Sequence, residues 1–66
     1  MNLVINGEAR ECPDSETIAE LVKKMDLPGP TLLIEHNGLA LRRDEWNARS
    51  LSAGDRLEVM KIAAGG

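Results

Sequence analysis

The residues of this sequence best suited to chemistry are Gly65 and Gly66. They follow the run Leu57-Glu58-Val59-Met60-Lys61-Ile62 and two alanines, Ala63 and Ala64. Glycine has no Cβ, so its backbone passes through channels too narrow for other residues. A terminal glycine also leaves its carboxyl carbon unshielded by a neighbouring branch. Such a carboxylate suits activation by ATP and later attack by a sulfur, amine or hydroxyl nucleophile. The competing reading is an ordinary frayed terminus. Glycine makes up about 7% of residues, so two in succession arise by chance at roughly 0.5% of positions, which weighs against that reading. Ala63, Ala64 and Gly65 then read as a plain stalk, small enough to carry Gly66 into a partner's tunnel.

The remaining reactive side chains offer less. Cys12 is the one cysteine, so no disulfide forms within the chain, and a cysteine on a short strand is usually a small buried hydrophobe. His36, the one histidine, stands before a tight turn and reads as a solvated strand end. It has no nucleophile partner for base catalysis and no neighbouring His or Cys to share a metal. Glu8, Glu11 and Glu35 lack the burial that acid–base carboxylates need. Arg42 and Arg43 read as a solvated edge.

Composition narrows the function classes further. With 66 residues the chain is expected to form one domain, residues 1–66, near the lower limit for independent folding. A core of this size leaves little room for an enzyme pocket of several hundred Å³. The net charge of −3 with scattered basic residues, and Trp46 as the only aromatic side chain, argue against nucleic acid as a partner. No leader pattern and no bilayer-length apolar run appear, so no membrane is expected. A lone free cysteine with no such leader favours the cytoplasm.

The elements that must position the tail are legible from pattern. Met1 to Ile5 and Glu8 to Cys12 flank Asn6-Gly7 as a hairpin, the turn type that both residues favour, and Pro13 ends the return strand. Asp14 or Ser15 is expected to cap a helix in which Ile18, Leu21, Val22 and Met25 form one apolar face. Glu20 and Lys24 are spaced to pair on the other side. Pro28-Gly29-Pro30 is expected to force an extended exit. Thr31 to Glu35 reads as a central strand, because Leu32, Leu33 and Ile34 are consecutively apolar. Asn37-Gly38 turns the chain into Leu39-Ala40-Leu41, and Arg43 to Trp46 forms one helical turn anchored by Trp46. Ser52 to Asp55 then turns into the last strand, Arg56 to Ile62. Hairpin, helix, strand pair and final strand, with first and last strands parallel and adjacent, give an α+β β-grasp (ubiquitin-like) fold. It comprises a mixed sheet with one main helix on one face, and residues 63–66 form a flexible tail.

Alternation along the last strand suggests a docking surface. Leu57 and Val59 share one face, so Arg56, Glu58, Met60 and Ile62 share the other. Met60 and Ile62 are apolar on the face opposite the helix, and Val4 is out of phase with Leu3 and Ile5. Val4, Met60 and Ile62 are therefore candidates for a partner-docking patch. The alternative is a bulge near Met60 that tucks these residues inward; the charge of Lys61 is taken to favour the patch.

The whole chain resembles the ThiS family, the small sulfur carriers of thiamine biosynthesis in the ThiS/MoaD superfamily. The likeness rests on the Met-Asn-Leu-Val-Ile-Asn-Gly opening, the helix after a Pro/Asp/Ser loop, and Asn37-Gly38. Arg42-Arg43-Asp44-Glu45-Trp46, Gly54-Asp55 and Gly65-Gly66 complete it. The resemblance implies that the Gly66 carboxylate is adenylated with ATP by an enzyme related to ubiquitin-activating enzymes (ThiF type). A persulfide donor, such as a cysteine desulfurase relay, then leaves a C-terminal thiocarboxylate, and a thiazole synthase (ThiG type) takes up the sulfur. The chain would itself be no enzyme and would bind no cofactor or metal; the ATP is consumed by the partner. The same fold and tail also fit a carrier for molybdopterin or cysteine synthesis, or a ubiquitin-like modifier conjugated through Gly66.

Overall fold

The computed structural model describes residues 1–62; Ala63, Ala64, Gly65 and Gly66 lie outside the described residues. β1 (Asn2–Ile5) and β2 (Glu8–Glu11) form the expected hairpin, with Asn2 opposite Glu11 and Ile5 opposite Glu8. Asn6 at φ 51° and Gly7 at φ 83° supply the two left-handed residues that this two-residue turn demands. α1 (Ile18–Lys24) follows, burying Ile18, Leu21 and Val22, with Met25 at its end packed against the core. Glu20 and Lys24 pair at 3.0 Å.

The helix starts differently from expectation. Thr17, not Asp14 or Ser15, is the cap, and its hydroxyl accepts from the Glu20 backbone N–H at 3.2 Å. The other two are occupied: the Ser15 hydroxyl donates back to the Pro13 carbonyl, and the Asp14 carboxylate accepts from the Met1 amine. The exit also differs. Gly29–Thr31 is a 3₁₀ turn, because Pro30 falls in its opening positions, where a missing N–H costs nothing.

β3 (Leu32–His36) and β4 (Leu39–Leu41) make the second hairpin, again through left-handed Asn37 and Gly38. A 3₁₀ turn over Arg43–Glu45 then drops Trp46 into the core. β5 (Arg56–Lys61) closes the sheet in the order β2-β1-β5-β3-β4. β5 runs parallel to β1 and antiparallel to β3, which is the β-grasp arrangement. β5 is the middle strand with β1 beside it, and β3 lies inside the sheet between β5 and β4. Its consecutive apolar residues do not share a face: Leu32 and Ile34 are buried, whereas Leu33 points away from the helix and is 48% exposed.

Two asparagines fasten the central strand. β1 runs out at the Asn6 turn while β5 continues, and the Asn6 side chain takes over the ladder. Its Oδ1 accepts from the Val59 N–H at 2.8 Å, and its Nδ2 donates to the Val59 carbonyl at 3.1 Å. On the other side, Asn37 Oδ1 accepts from the Arg56 N–H at 2.8 Å. Asn6→Gly keeps the turn's backbone freedom but deletes both bonds to Val59. At about 1 kcal/mol net per hydrogen bond, it should destabilise the fold by about 1–2 kcal/mol. Hydrogen exchange checks this: the Val59 amide should lose protection well beyond the global change.

Candidate functional site

The β5 ladder against β3 is continuous, from His36 opposite Leu57 to Leu32 opposite Lys61, so no bulge shifts the register. Leu57 is buried towards the helix, while Arg56, Glu58 and Met60 lie on the outer face. Met60 and Ile62 are 42% and 48% exposed. Lys61 shares the parity of Leu57 and Val59 yet is exposed at the last rung, so its charge was no guide to the register. The exposure of Met60 and Ile62 themselves argues against the tucked-in alternative.

The outer face brings together a different set from the one expected. Leu33 stands directly opposite Met60, and with Ile62 these form the apolar end of the face. Leu33 was missed, although alternation alone gave the signal: flanked by two inward residues, it had to point outward. Val4 is on the same face but pairs with Arg56, four residues before Met60, or about 13 Å along the strand. It is half-buried and separate from the patch. Between them lies the rung of Glu35 opposite Glu58.

This apolar end adjoins the root of the tail. The Ile62 N–H donates to the Thr31 carbonyl at 2.7 Å, continuing the β5–β3 ladder one residue past the strand. The chain is therefore handed to residue 63 from the central strand of the sheet, held on the β3 side by Thr31, while the bonds on the β1 side end at Val59.

At the far end of β5 the structure corrects the reading of His36. It is no solvated strand end; it is 3% exposed and shares the inward parity of Leu32 and Ile34. Arg49 Nε donates to His36 Nδ1 at 2.8 Å, so the remaining ring proton sits on Nε2 and is given to Asp55 Oδ2 at 2.7 Å. Burial alone would push the Asp55 carboxyl up. The hydrogen bonds from His36, from the Ser52 backbone N–H and from the Asn37 side chain outweigh it and hold the carboxyl below the usual range. An Asp–His couple resembles part of a catalytic triad, but among the described residues no hydroxyl or thiol is hydrogen-bonded to His36. The network instead fastens the Arg49 segment and the β5 start to the end of β3. Cys12 is buried. Among the described residues no group of three or more His, Cys, Asp or Glu is placed to hold a metal, and no helix is long and apolar enough to cross a membrane.

A model of the ThiS family matches residues 3–66 of this chain. The chain is 24% identical over 66 residues to the sulfur carrier protein ThiS of Escherichia coli (strain K12), covering all of both chains. The crystal structure of a thiamine biosynthesis protein (ThiS) from Geobacter metallireducens is similar with a TM-score of 0.82 at 28% identity, over 100% of each chain. An NMR solution structure of a thiamine biosynthesis protein from the same organism gives 0.78 at 28% identity, over 100% of this chain and 88% of that one.

Proposed function

The chain belongs to the ThiS family, and from that membership we propose that it is a sulfur carrier in thiamine biosynthesis, loaded at the carboxylate of Gly66. The observation that carries this reading is the extent of the family match, which runs through residue 66 and so includes the glycine pair. A free carboxylate is a poor electrophile, since its negative charge repels a nucleophile and it has no leaving group. Attack of a Gly66 oxygen on the α-phosphorus of ATP expels pyrophosphate and makes an acyl adenylate. The terminal sulfur of a persulfide then attacks the carbonyl carbon and expels AMP. A thiol cleaves the remaining S–S bond, leaving the thiocarboxylate on Gly66 and a disulfide on the donor side. Thiazole synthase finally takes the sulfur.

In this reading the chain is a co-substrate, not an enzyme, and the adenylating enzyme consumes the ATP and supplies the catalytic groups. Residues 1–66 act as one domain in the cytoplasm, with Ala63, Ala64 and Gly65 threading Gly66 into the partner's active site. Met60 and Ile62 lie beside the root of that tail and serve as its docking surface, with Val4 at the margin of the same face. The test is the intact mass after incubation with ATP, the adenylating partner and a persulfide donor. Exchange of one oxygen for sulfur, localised to Gly66 by fragmentation, is the expected result. An unchanged mass alongside an active partner would sink the proposal.

A further inference from the structure

Resting on that docking reading, we infer that the outer sheet face is built for a partner surface combining an apolar side chain with a lysine or arginine, the cation lying across Glu35 and Glu58. These two glutamates stand directly opposite each other on β3 and β5. Opposed side chains on one sheet face have Cβ atoms about 5 Å apart, and like charges there destabilise the pairing. Arg56, two residues before Glu58 on the same face, is the one cation lining the depression beside them, and it forms no ion pair with either among the described residues. Glu35 faces Ala40 on its other side, and among the described residues neither glutamate is in an ion pair.

Beside the rung is an open depression of about 420 Å³ lined by Glu35, Asn37, Gly38, Arg56 and Glu58. Two carboxylates against one guanidinium leave it net negative. One rung towards the tail, the opposed residues are Leu33 and Met60, 48% and 42% exposed, and Ile62 follows. The described residues thus leave two carboxylates without an ion-pair partner, one cation short of neutrality, next to exposed apolar surface. A single occupant carrying a cation beside an apolar side chain relieves both.

The occupant in this inference is the adenylating partner, the first protein to hold Gly66 in the proposed sequence of steps. From Ile62, four residues reach at most about 14 Å when extended. A protein that grips Gly66 therefore stands over this end of the face.

Titration calorimetry of the full chain against the adenylating partner, run beside thermal unfolding, tests the inference. Glu35→Gln with Glu58→Gln removes both charges at nearly constant shape. Binding should weaken about tenfold while the unfolding midpoint rises, because the repulsion has gone. A purely structural pair of residues would move both quantities in the same direction. Leu33→Ser with Met60→Ser should also abolish tight binding. If the glutamine variant binds like wild type while the serine variant fails, the charge inference is overturned and the docking reading stands. If both variants bind like wild type, the docking reading falls and this inference with it.

Discussion

Truncation after Ala64 is expected to abolish sulfur loading completely while leaving the unfolding midpoint unchanged. The chemistry proposed for Gly66 needs a carboxylate that reaches the partner's nucleotide and a carbonyl carbon open to a bulky sulfur nucleophile. Removing two residues withdraws the carboxylate by about 7 Å, and positioning errors of even 1 Å can cost two orders of magnitude in rate. The new terminus would also carry a methyl group beside the reacting carbon. The described fold is untouched by the change: its hydrogen bonds run up to the Ile62 N–H on the Thr31 carbonyl, which the truncation leaves intact. Gly66→Val separates the two requirements. It restores the length but places a β-branched side chain next to the carbonyl, so loading should fall steeply although the tail still reaches. The assay is intact mass at fixed times with ATP, the adenylating partner and a persulfide donor. Sulfur found on the Ala64 carboxylate of the truncated chain would overturn the assignment of Gly66.

The unequal legibility of this fold has physical causes. Asn-Gly turns and the helix period are local signals, and both hairpins and the buried face of α1 appear where those signals place them. The adjacency of β1 and β5 followed from element order, since a helix between them permits a parallel crossover. Capping was less legible because Asp14, Ser15 and Thr17 are all competent cap residues. The choice among them fell to competing partners, the Met1 amine 13 residues from Asp14 and the Pro13 carbonyl two residues from Ser15. Leu33 was misplaced for a different reason. An unbroken run of apolar residues hides which of them faces inward, and in a two-layer fold only alternate residues face the helix.

The docking patch was half legible. Met60 and Ile62 follow from the alternation of β5, but which residue stands beside them depends on the register with β3. That register is set by Asn37, whose side chain and backbone both bond Arg56. An asparagine in a tight turn announces its backbone conformation, not its side-chain partners, so the clamps at Asn6 and Asn37 were invisible in sequence. His36 is the clearest loss. Its place before a tight turn reads as a solvated strand end, whereas its parity with Leu32 and Ile34 turns it inward. A buried imidazole needs partners for both nitrogens, and those came from Arg49 and Asp55, 13 and 19 residues away.

That network makes the second large prediction. Asp55→Ala strips His36 Nε2 of its acceptor in a buried site and frees the Ser52 N–H as well. A buried polar group left unpaired costs about 1–3 kcal/mol, so a loss of about 2–3 kcal/mol is expected for the variant. In a domain whose net stability is a few kcal/mol, that should leave a readily detected unfolded fraction at ambient temperature, measured by urea unfolding followed at Trp46. The wild-type dependence on pH has a definite sign. Because the folded state holds the Asp55 carboxyl below its unfolded value of 3.8, ionised Asp55 contributes its full stabilisation above that value. The contribution is lost as pH falls through the lower folded value. Asp55→Asn distinguishes charge from shape. Its amide oxygen can still accept from His36 and Ser52, so it should cost less than alanine at neutral pH. It should also flatten the acid limb of the stability profile, since position 55 no longer titrates. An acid limb as steep in the asparagine variant as in wild type would show that other carboxylates govern acid unfolding, and that Asp55 works through geometry alone.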